Sequence, residues 1–207
     1  MMLILCGKSG SGKDTVAHKI LEKYEENVVK LVSDTSRPMR EGEVDGREYN
    51  FTSKEQFLKG IEDGKFVEYR SYNTLVNGVP DKWYYGTSKF EKTEEGKLVV
   101  AIKDLEGAKV LKDYCEEIGE PCECILLEVD DKIREARAKL RGSFDQIEWD
   151  RRLKADEVDF SLEKQMTVVD KVVQNDGSNS IETIADFCYY SATHPIEMDE
   201  MEEIGVF

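Results

Sequence analysis

Near the start of the chain, Gly7-Lys8-Ser9-Gly10-Ser11-Gly12-Lys13 is followed by Asp14 and Thr15. The spacing from Gly7 to Gly12-Lys13 is the phosphate-loop pattern G-x-x-x-x-G-K. Glycines let a backbone turn tightly and aim successive N–H groups inward. Those donors, with the N-terminus of the next helix, make a nest for phosphate oxygens. Lys13 would reach the outer phosphates as a point charge. A Gly/Ser turn alone could share this composition. Here the turn also joins an apolar run, Leu3-Ile4-Leu5-Cys6, to a helix-compatible one. The pattern usually has Ser or Thr after the lysine; Asp14 stands there, and Thr15 comes one residue late.

Arginines form the second set of chemistry-bearing residues. Arg37 and Arg40 lie three apart in a polar segment broken by Pro38 and Gly42, and Arg134, Arg137, Arg141, Arg151 and Arg152 crowd into 130–162. Taken singly they read as an exposed loop and a solvated helix face. They weigh more because the chain has 29 Lys and Arg against 44 Asp and Glu, a net charge of −15. An anionic ligand in so acidic a protein needs local clusters of cations. The same charge argues against non-specific nucleic-acid binding and disfavours a nucleic-acid ATPase.

The elements that must position these groups follow from periodicity. The run before Gly7, a helix carrying Val16, Ile20 and Leu21, and Val28–Val32 predict strand, helix, strand in a parallel α/β sheet. Leu98–Ile102, Cys122–Val129 and Thr167–Val173 read as further core strands, with helices over 104–118, within 130–162 and over 178–190. Gly119 reads as a helix end. Between the first two strands and the third, residues 33–87 change texture. They hold a capping box, Ser53-x-x-Gln56, a strand at Phe66–Tyr69, and a Gly78- and Pro80-containing stretch, Asn73–Lys82, read as a loop. A small mixed lobe is expected there.

No apolar run is long enough for a membrane span, and no leader segment is expected. The five cysteines, Cys6, Cys115, Cys122, Cys124 and Cys188, are an odd count without framework spacing. Free thiols in a cytoplasmic setting are expected, and zinc is not, since no histidine or second ligand pair accompanies Cys122 and Cys124. Residues 191–207 hold Glu197, Asp199, Glu200, Glu202 and Glu203 without Lys or Arg and read as an acidic tail.

Taken together the residues resemble the guanylate kinases, within the nucleoside-monophosphate kinases, from Met2 to about Phe187. Thr35-Ser36-Arg37-x-x-Arg40-x-Gly42-Glu43-x-x-Gly46-x-x-Tyr49-x-Phe51 is similar to that family's GMP-phosphate segment. Phe66–Tyr69 and Tyr84-Tyr85-Gly86-Thr87 resemble its guanine lobe. Asp104-x-x-Gly107, Arg137-x-x-x-Arg141-Gly142 with Arg152-Leu153, and Val172-Val173-x-Asn175-Asp176 resemble its nucleotide-facing helix start, lid and last strand. The resemblance implies a P-loop three-layer α/β fold with a parallel five-stranded core sheet, an inserted GMP-binding lobe and a helical lid. On this sequence that means a single domain over 1–190, with core 1–32, 88–129 and 165–190, lobe 33–87 and lid 130–164, then the tail. It also implies transfer of the γ-phosphoryl group of ATP to GMP or dGMP, with Mg²⁺.

Roles follow by the same resemblance. Gly7, Lys8, Ser9, Gly10, Ser11, Gly12, Lys13, Asp14 and Thr15 would bind ATP. Arg37, Arg40, Tyr49 and Tyr85 would grip the GMP phosphate, through arginine forks and phenol donors. Lys13, Arg137, Arg141 and Arg152 would neutralise the transferring group, with Arg152 also near GMP. Guanine's N1–H and amino group need acceptors, which Glu68 and Asp104 would supply, with Ser33 and Thr87 toward O6. Adenine would leave those carboxylates unsatisfied.

Three departures from the family stand out. Asp14 occupies the position of the usual Mg²⁺-ligating hydroxyl. Ile102 replaces an acid usually found two residues before the Asp104 equivalent. The segment between Glu68 and Tyr85 is long, with Asn73–Trp83 as extra material. Asp14 either takes over part of the metal's ligation or serves the helix N-terminus. A kinase of another (deoxy)nucleoside monophosphate, or a non-catalytic interaction domain of the same fold, are the alternatives. Against the latter, a pure binding module has no need of the Gly7–Lys13 loop.

Overall fold

The computed structural model describes residues 1–76, 79–140 and 144–194. They fall into two compact units, one built from Met1–Lys30 and the chain from Thr93 onward, the other from Leu31–Lys92.

The larger unit grows around β1 (Met2–Cys6), all five residues of which are buried. A strand buried on both faces needs a continuous apolar run, and MLILC supplies one. Helix α1 (Lys13–Lys23) follows the glycine loop, and β2 is Val28–Lys30. In the smaller unit come β3 (Asp34–Thr35), β4 (Asn50–Phe51), α2 (Lys54–Glu62), β5 (Phe66–Val76) and β6 (Val79–Ser88). The larger unit resumes with β7 (Leu98–Ile102), α3 (Leu105–Ile118), β8 (Cys122–Glu128), α4 (Asp131–Leu140), α5 (Gln146–Asp159), α6 (Leu162–Val168), β9 (Lys171–Gln174) and α7 (Ile181–Thr193).

Its sheet has five strands in the order β2-β7-β1-β8-β9, all parallel. Leu3 and Leu5 point to one face and join Leu98, Val100, Ile125 and Val173 in a core closed by Val16 and Ile20 of α1 and Ile184 and Cys188 of α7. Ile4 and Cys6 alternate to the opposite face, where α3 packs on β1 and β8. Each fully buried Leu or Ile here is worth about 1.5–3 kcal/mol. The result is the expected three-layer α/β arrangement, and it sets the loop after β1 at the C-terminal edge of the central strand.

The smaller unit is a four-stranded sheet in the order β4-β3-β6-β5. Helix α2 begins with the anticipated capping box of Ser53 and Gln56. It packs Phe57 on Phe66, ring centroids 4.4 Å apart, and on Tyr84 at 5.6 Å.

Three local expectations are corrected. The stretch read as a loop, Asn73–Lys82, belongs to a two-stranded antiparallel ribbon on either side of 77–78, with Tyr72 opposite Trp83 and Leu75 opposite Pro80. Its β-branched and aromatic residues favour strand. Pro80 is tolerated because β3 pairs with β6 at Tyr85 and Gly86, so that among the described residues no strand lies beside Pro80 on that edge. Thr167 and Val168, read as strand, end helix α6, and β9 starts at Lys171. Finally, α7 runs past Tyr190 to Thr193, so Ser191 is helical and buried, with its hydroxyl donating to Glu123 at 2.7 Å. The carboxylates of the acidic tail lie outside the described residues.

Candidate active site

The loop between β1 and α1 takes its shape from glycines at positions a side chain cannot occupy. Gly7 has φ +152°, and a Cβ there would fall 2.5 Å from Ser11 Oγ and 2.7 Å from the Leu127 carbonyl oxygen. Gly12 is the N-cap of α1 at φ 93° and brings no capping side chain, so the helix start is open to an anion rather than closed by its own residue. The Lys13 ammonium lies inside the loop and donates to the carbonyls of Gly7 (2.7 Å) and Lys8 (3.1 Å). Burial lowers its pKa, while the Asp14 carboxylate, Cys6 and Asp156 oppose that drop. Asp14 and Thr15 are exposed on the first turn of α1.

Helices α4 and α5 and the segment after β9 support this loop. Arg134 on α4 is fully buried. Its Nε donates to the Ser9 carbonyl at 2.8 Å, its Nη1 to Asp131 at 2.5 Å, and its Nη2 to Asp156 on α5. Asp156 accepts from the Ser9 N–H at 3.5 Å, and Trp149 lies 5.5 Å from the Arg134 guanidinium. Arg152 Nη1 donates to Ser9 Oγ at 3.3 Å. Asn175 is buried and donates to the Ser11 carbonyl at 2.8 Å, while its own carbonyl accepts from Arg137 Nη2 at 2.7 Å. Among the described residues, two side-chain donors at this loop are buried without a partner, Ser11 Oγ and Arg137 Nη1. The latter lies 3.9 Å from where a Cβ on Gly12 would be. Lys13, Arg137 and Arg152 are therefore gathered at one loop. Arg141 lies outside the described residues.

The smaller unit holds most of the residues assigned to the monophosphate. Arg37 is buried and forms a two-pronged pair with Glu43, Nη1–Oε2 3.0 Å and Nη2–Oε1 2.7 Å. This pairing raises the pKa of the guanidinium and lowers that of the Glu43 carboxyl. The guanidinium also lies 5.5 Å from the Tyr49 ring. Tyr85 meets Tyr49 edge-on at 5.7 Å, and Tyr72, from the ribbon, meets Tyr85 at 5.6 Å. Arg37, Tyr49 and Tyr85 are thus together, whereas the Arg40 side chain is exposed and its backbone N–H is held by Glu43 at 2.7 Å. A register shift between Phe66 and Glu68 sets Glu68 opposite Thr87, whose hydroxyl donates to Glu68 Oε1 at 2.6 Å. The carbonyl of Ser33 accepts from the Asn50 N–H at 2.9 Å. Asp104 belongs to the larger unit, where it is the N-cap of α3 and accepts from the Gly107 N–H at 2.8 Å.

Four residues were given no role by sequence reasoning. Arg134 was visible only as one arginine among several, Asp156 carried no signal of its own, and Asn175 was quoted only within the segment resembling the family's last strand. Glu43 sat inside the quoted segment without a function. Pairings across 22 residues or more have no local signature; only the arginine crowding hinted at them.

The guanylate kinase family model matches residues 1–113. A guanylate kinase of Helicobacter pylori is 38% identical over 145 residues, covering 69% of this chain and 65% of that protein. One of Wolinella succinogenes is 43% identical over 121 residues, 56% of this chain and 52% of its own length. The chain thus spans 65% or less of the length of these relatives. The crystal structure of a guanylate kinase from Anaplasma phagocytophilum superposes with a TM-score of 0.60 over 99% of this chain and 92% of that one. At 23% identity, that likeness speaks for the fold.

Proposed function

The chain belongs to the guanylate kinase family, and on that premise we propose that it transfers the γ-phosphoryl group of ATP to GMP, and to dGMP, giving ADP and the nucleoside diphosphate. The observation that carries this reading is the convergence of cations on one glycine loop. Lys13 lies within it, Arg152 touches Ser9, and Arg137 turns a buried, unpartnered Nη1 toward Gly12. Phosphoryl transfer asks little covalent chemistry of a protein. It asks for alignment and for neutralisation of charge on the equatorial oxygens. Backbone N–H groups of 7–13 other than those of Ser9 and Ser11, which are bonded to Asp156 and the Lys8 carbonyl, hold the β- and γ-phosphates, Lys13 follows the moving group, and Arg137, Arg141 and Arg152 offset the charge that builds on it.

On the acceptor side, Arg37, Arg40, Tyr49 and Tyr85 bind the monophosphate. Arg37 exchanges Glu43 for phosphate as its bidentate partner, a swap between chemically similar oxyanions. Thr87 orients the Glu68 carboxylate for the guanine donors, with Asp104 as the second acceptor and Ser33 nearby.

Among the described residues, no group of three or more His, Cys, Asp or Glu could by itself cage a metal. Mg²⁺ binds through one or two carboxylates and takes its other oxygens from phosphates and water, so a single exposed carboxylate beside the loop is a donor of the kind it uses. Asp14, exposed beside Lys13, is the carboxylate that would hold it, with the Thr15 hydroxyl next to it. When bound, the ion supplies neutralisation of the β- and γ-phosphate oxygens. No helix among the described residues is long and apolar enough to cross a membrane. The free cysteines suit a reducing compartment such as the cytoplasm.

The test is a coupled ADP-release assay over a panel of nucleoside and deoxynucleoside monophosphates. GMP and dGMP should exceed AMP, CMP and UMP in kcat/KM by at least about a hundredfold. Preference for another base would move the reading to a different monophosphate kinase. Absence of ADP release with every acceptor, in a folded protein, would leave an interaction domain.

A further inference from the structure

The most buried charged side chain outside the roles assigned above is Arg134, and with its partner Asp156 it holds the two peptide groups on either side of the Ser9 Cα. Its Nε–H donates to the Ser9 carbonyl, while its partner Asp156 accepts from the Ser9 N–H. The ion pair between them is buried, Arg134 fully and Asp156 at 9% exposure. The two come from different helices, α4 and α5. An ion pair of this kind is poor evidence of a stabilising role. Desolvating both charges is costly, and well-packed apolar residues often serve stability as well or better. Asp131, at the start of α4, takes the third prong of the guanidinium, and Trp149 covers it. Fixing the peptide orientation is the task such a clasp performs and an apolar pair cannot. In a loop that works through the direction of its N–H groups, one rotated peptide changes the ligand nest.

We propose that Arg134 and Asp156 are positioning residues that clasp the backbone of Ser9, one holding the peptide group before it and the other the peptide group after it, and so couple the phosphate loop to the helices carrying Arg137 and Arg152. This rests on the phosphotransferase reading above. Neither residue contacts the reacting atoms in this account. Each acts through Ser9, whose N–H, carbonyl and Oγ are held by Asp156, Arg134 and Arg152 respectively. A cooperative loop and helix pair means that the donor nucleotide, not the acceptor, feels the loss of the clasp.

The test compares Asp156→Asn with the double variant Arg134→Met/Asp156→Leu. The double variant removes both charges together, so it avoids stranding one in the interior. A positioning role predicts a double variant that melts like the wild type, with kcat/KM for ATP lower by about tenfold or more and KM for GMP within about twofold. Wild-type stability together with wild-type ATP parameters would overturn the proposal. If the double variant does not fold, Asp156→Asn decides by the same split between ATP and GMP constants. Amide hydrogen exchange provides a readout independent of turnover. Exchange at the Ser9 N–H should be about tenfold faster or more in the double variant, which has no side-chain acceptor at position 156, and unchanged exchange refutes the clasp. A wild-type protein that transfers no phosphoryl group but protects this amide would sink the functional reading and leave the clasp standing.

Discussion

Asp104 caps α3, and the guanine contact proposed for it would place a second duty on the same carboxylate, so a single substitution can separate the two. Its Oδ1 caps α3 through the Gly107 N–H, a role that Asn fills about as well as Asp. The proposed guanine contact needs an acceptor and gains from its charge, which Asn lacks. Asp104→Asn should therefore leave the melting temperature within a degree or two and raise KM for GMP by roughly tenfold or more. KM for ATP should stay within about twofold. Asp104→Ala would obscure this by removing the cap as well, at about 1 kcal/mol. Steady-state kinetics and a melting curve on the Asn variant check both halves. Equal losses toward the two nucleotides would remove Asp104 from the guanine site. Glu68 differs in kind, because its orientation comes from a cross-strand hydroxyl, Thr87, rather than from a helix end.

At the scale of elements, legibility tracked how local the cause was. The strand, loop and helix at the N-terminus could be read because each is dictated by neighbouring residues: the apolar run Met2–Cys6, the glycine spacing, and the helix periodicity after Lys13. Further buried-type runs read as core strands, and the resemblance to the guanylate kinases implied that they form one parallel five-stranded sheet. The ribbon of β5 and β6 was missed because Gly78 and Pro80 are loop residues by composition, and Pro80 is acceptable only because no strand among the described residues lies beside it on that edge of β6. The support of the loop was missed because a buried arginine depends on a carboxylate 22 residues later, on another helix. Gly7 shows how tightly that local code is enforced. A methyl group there meets the Leu127 backbone oxygen at 2.7 Å and the Ser11 hydroxyl at 2.5 Å. Strand β8 is central to the core, so the backbone cannot retreat cheaply. Gly7→Ala should destabilise the protein by roughly 1–3 kcal/mol and weaken ATP binding at the displaced loop. Urea denaturation measures the first effect, and an unchanged midpoint would contradict the packing argument.

At the scale of the molecule, the net charge of −15 would oppose the approach of the two anionic nucleotides proposed as substrates, so their affinity would have to come from the local cation sets. Those sets lie in different units, Lys13, Arg137 and Arg152 in the larger and Arg37 and Arg40 in the one spanning Leu31–Lys92. Each nucleotide should then stabilise the protein through its own set. A ligand at about 100 times its Kd adds roughly 2.7 kcal/mol, which for a chain of this size is a rise of about 5–11 °C in melting temperature. Lys13→Met should abolish the rise with Mg²⁺-ATP and preserve the rise with GMP. Arg40→Ala should do the reverse, and it is the cleaner acceptor-side variant. The Arg40 side chain is exposed, so its loss strands no buried partner, unlike removal of Arg37, which would leave Glu43 unpaired. Thermal shifts on the two variants with each nucleotide give a two-by-two comparison. Either substitution erasing both rises would show that the two sites do not bind independently, and the assignment of one nucleotide to each cation set would fall.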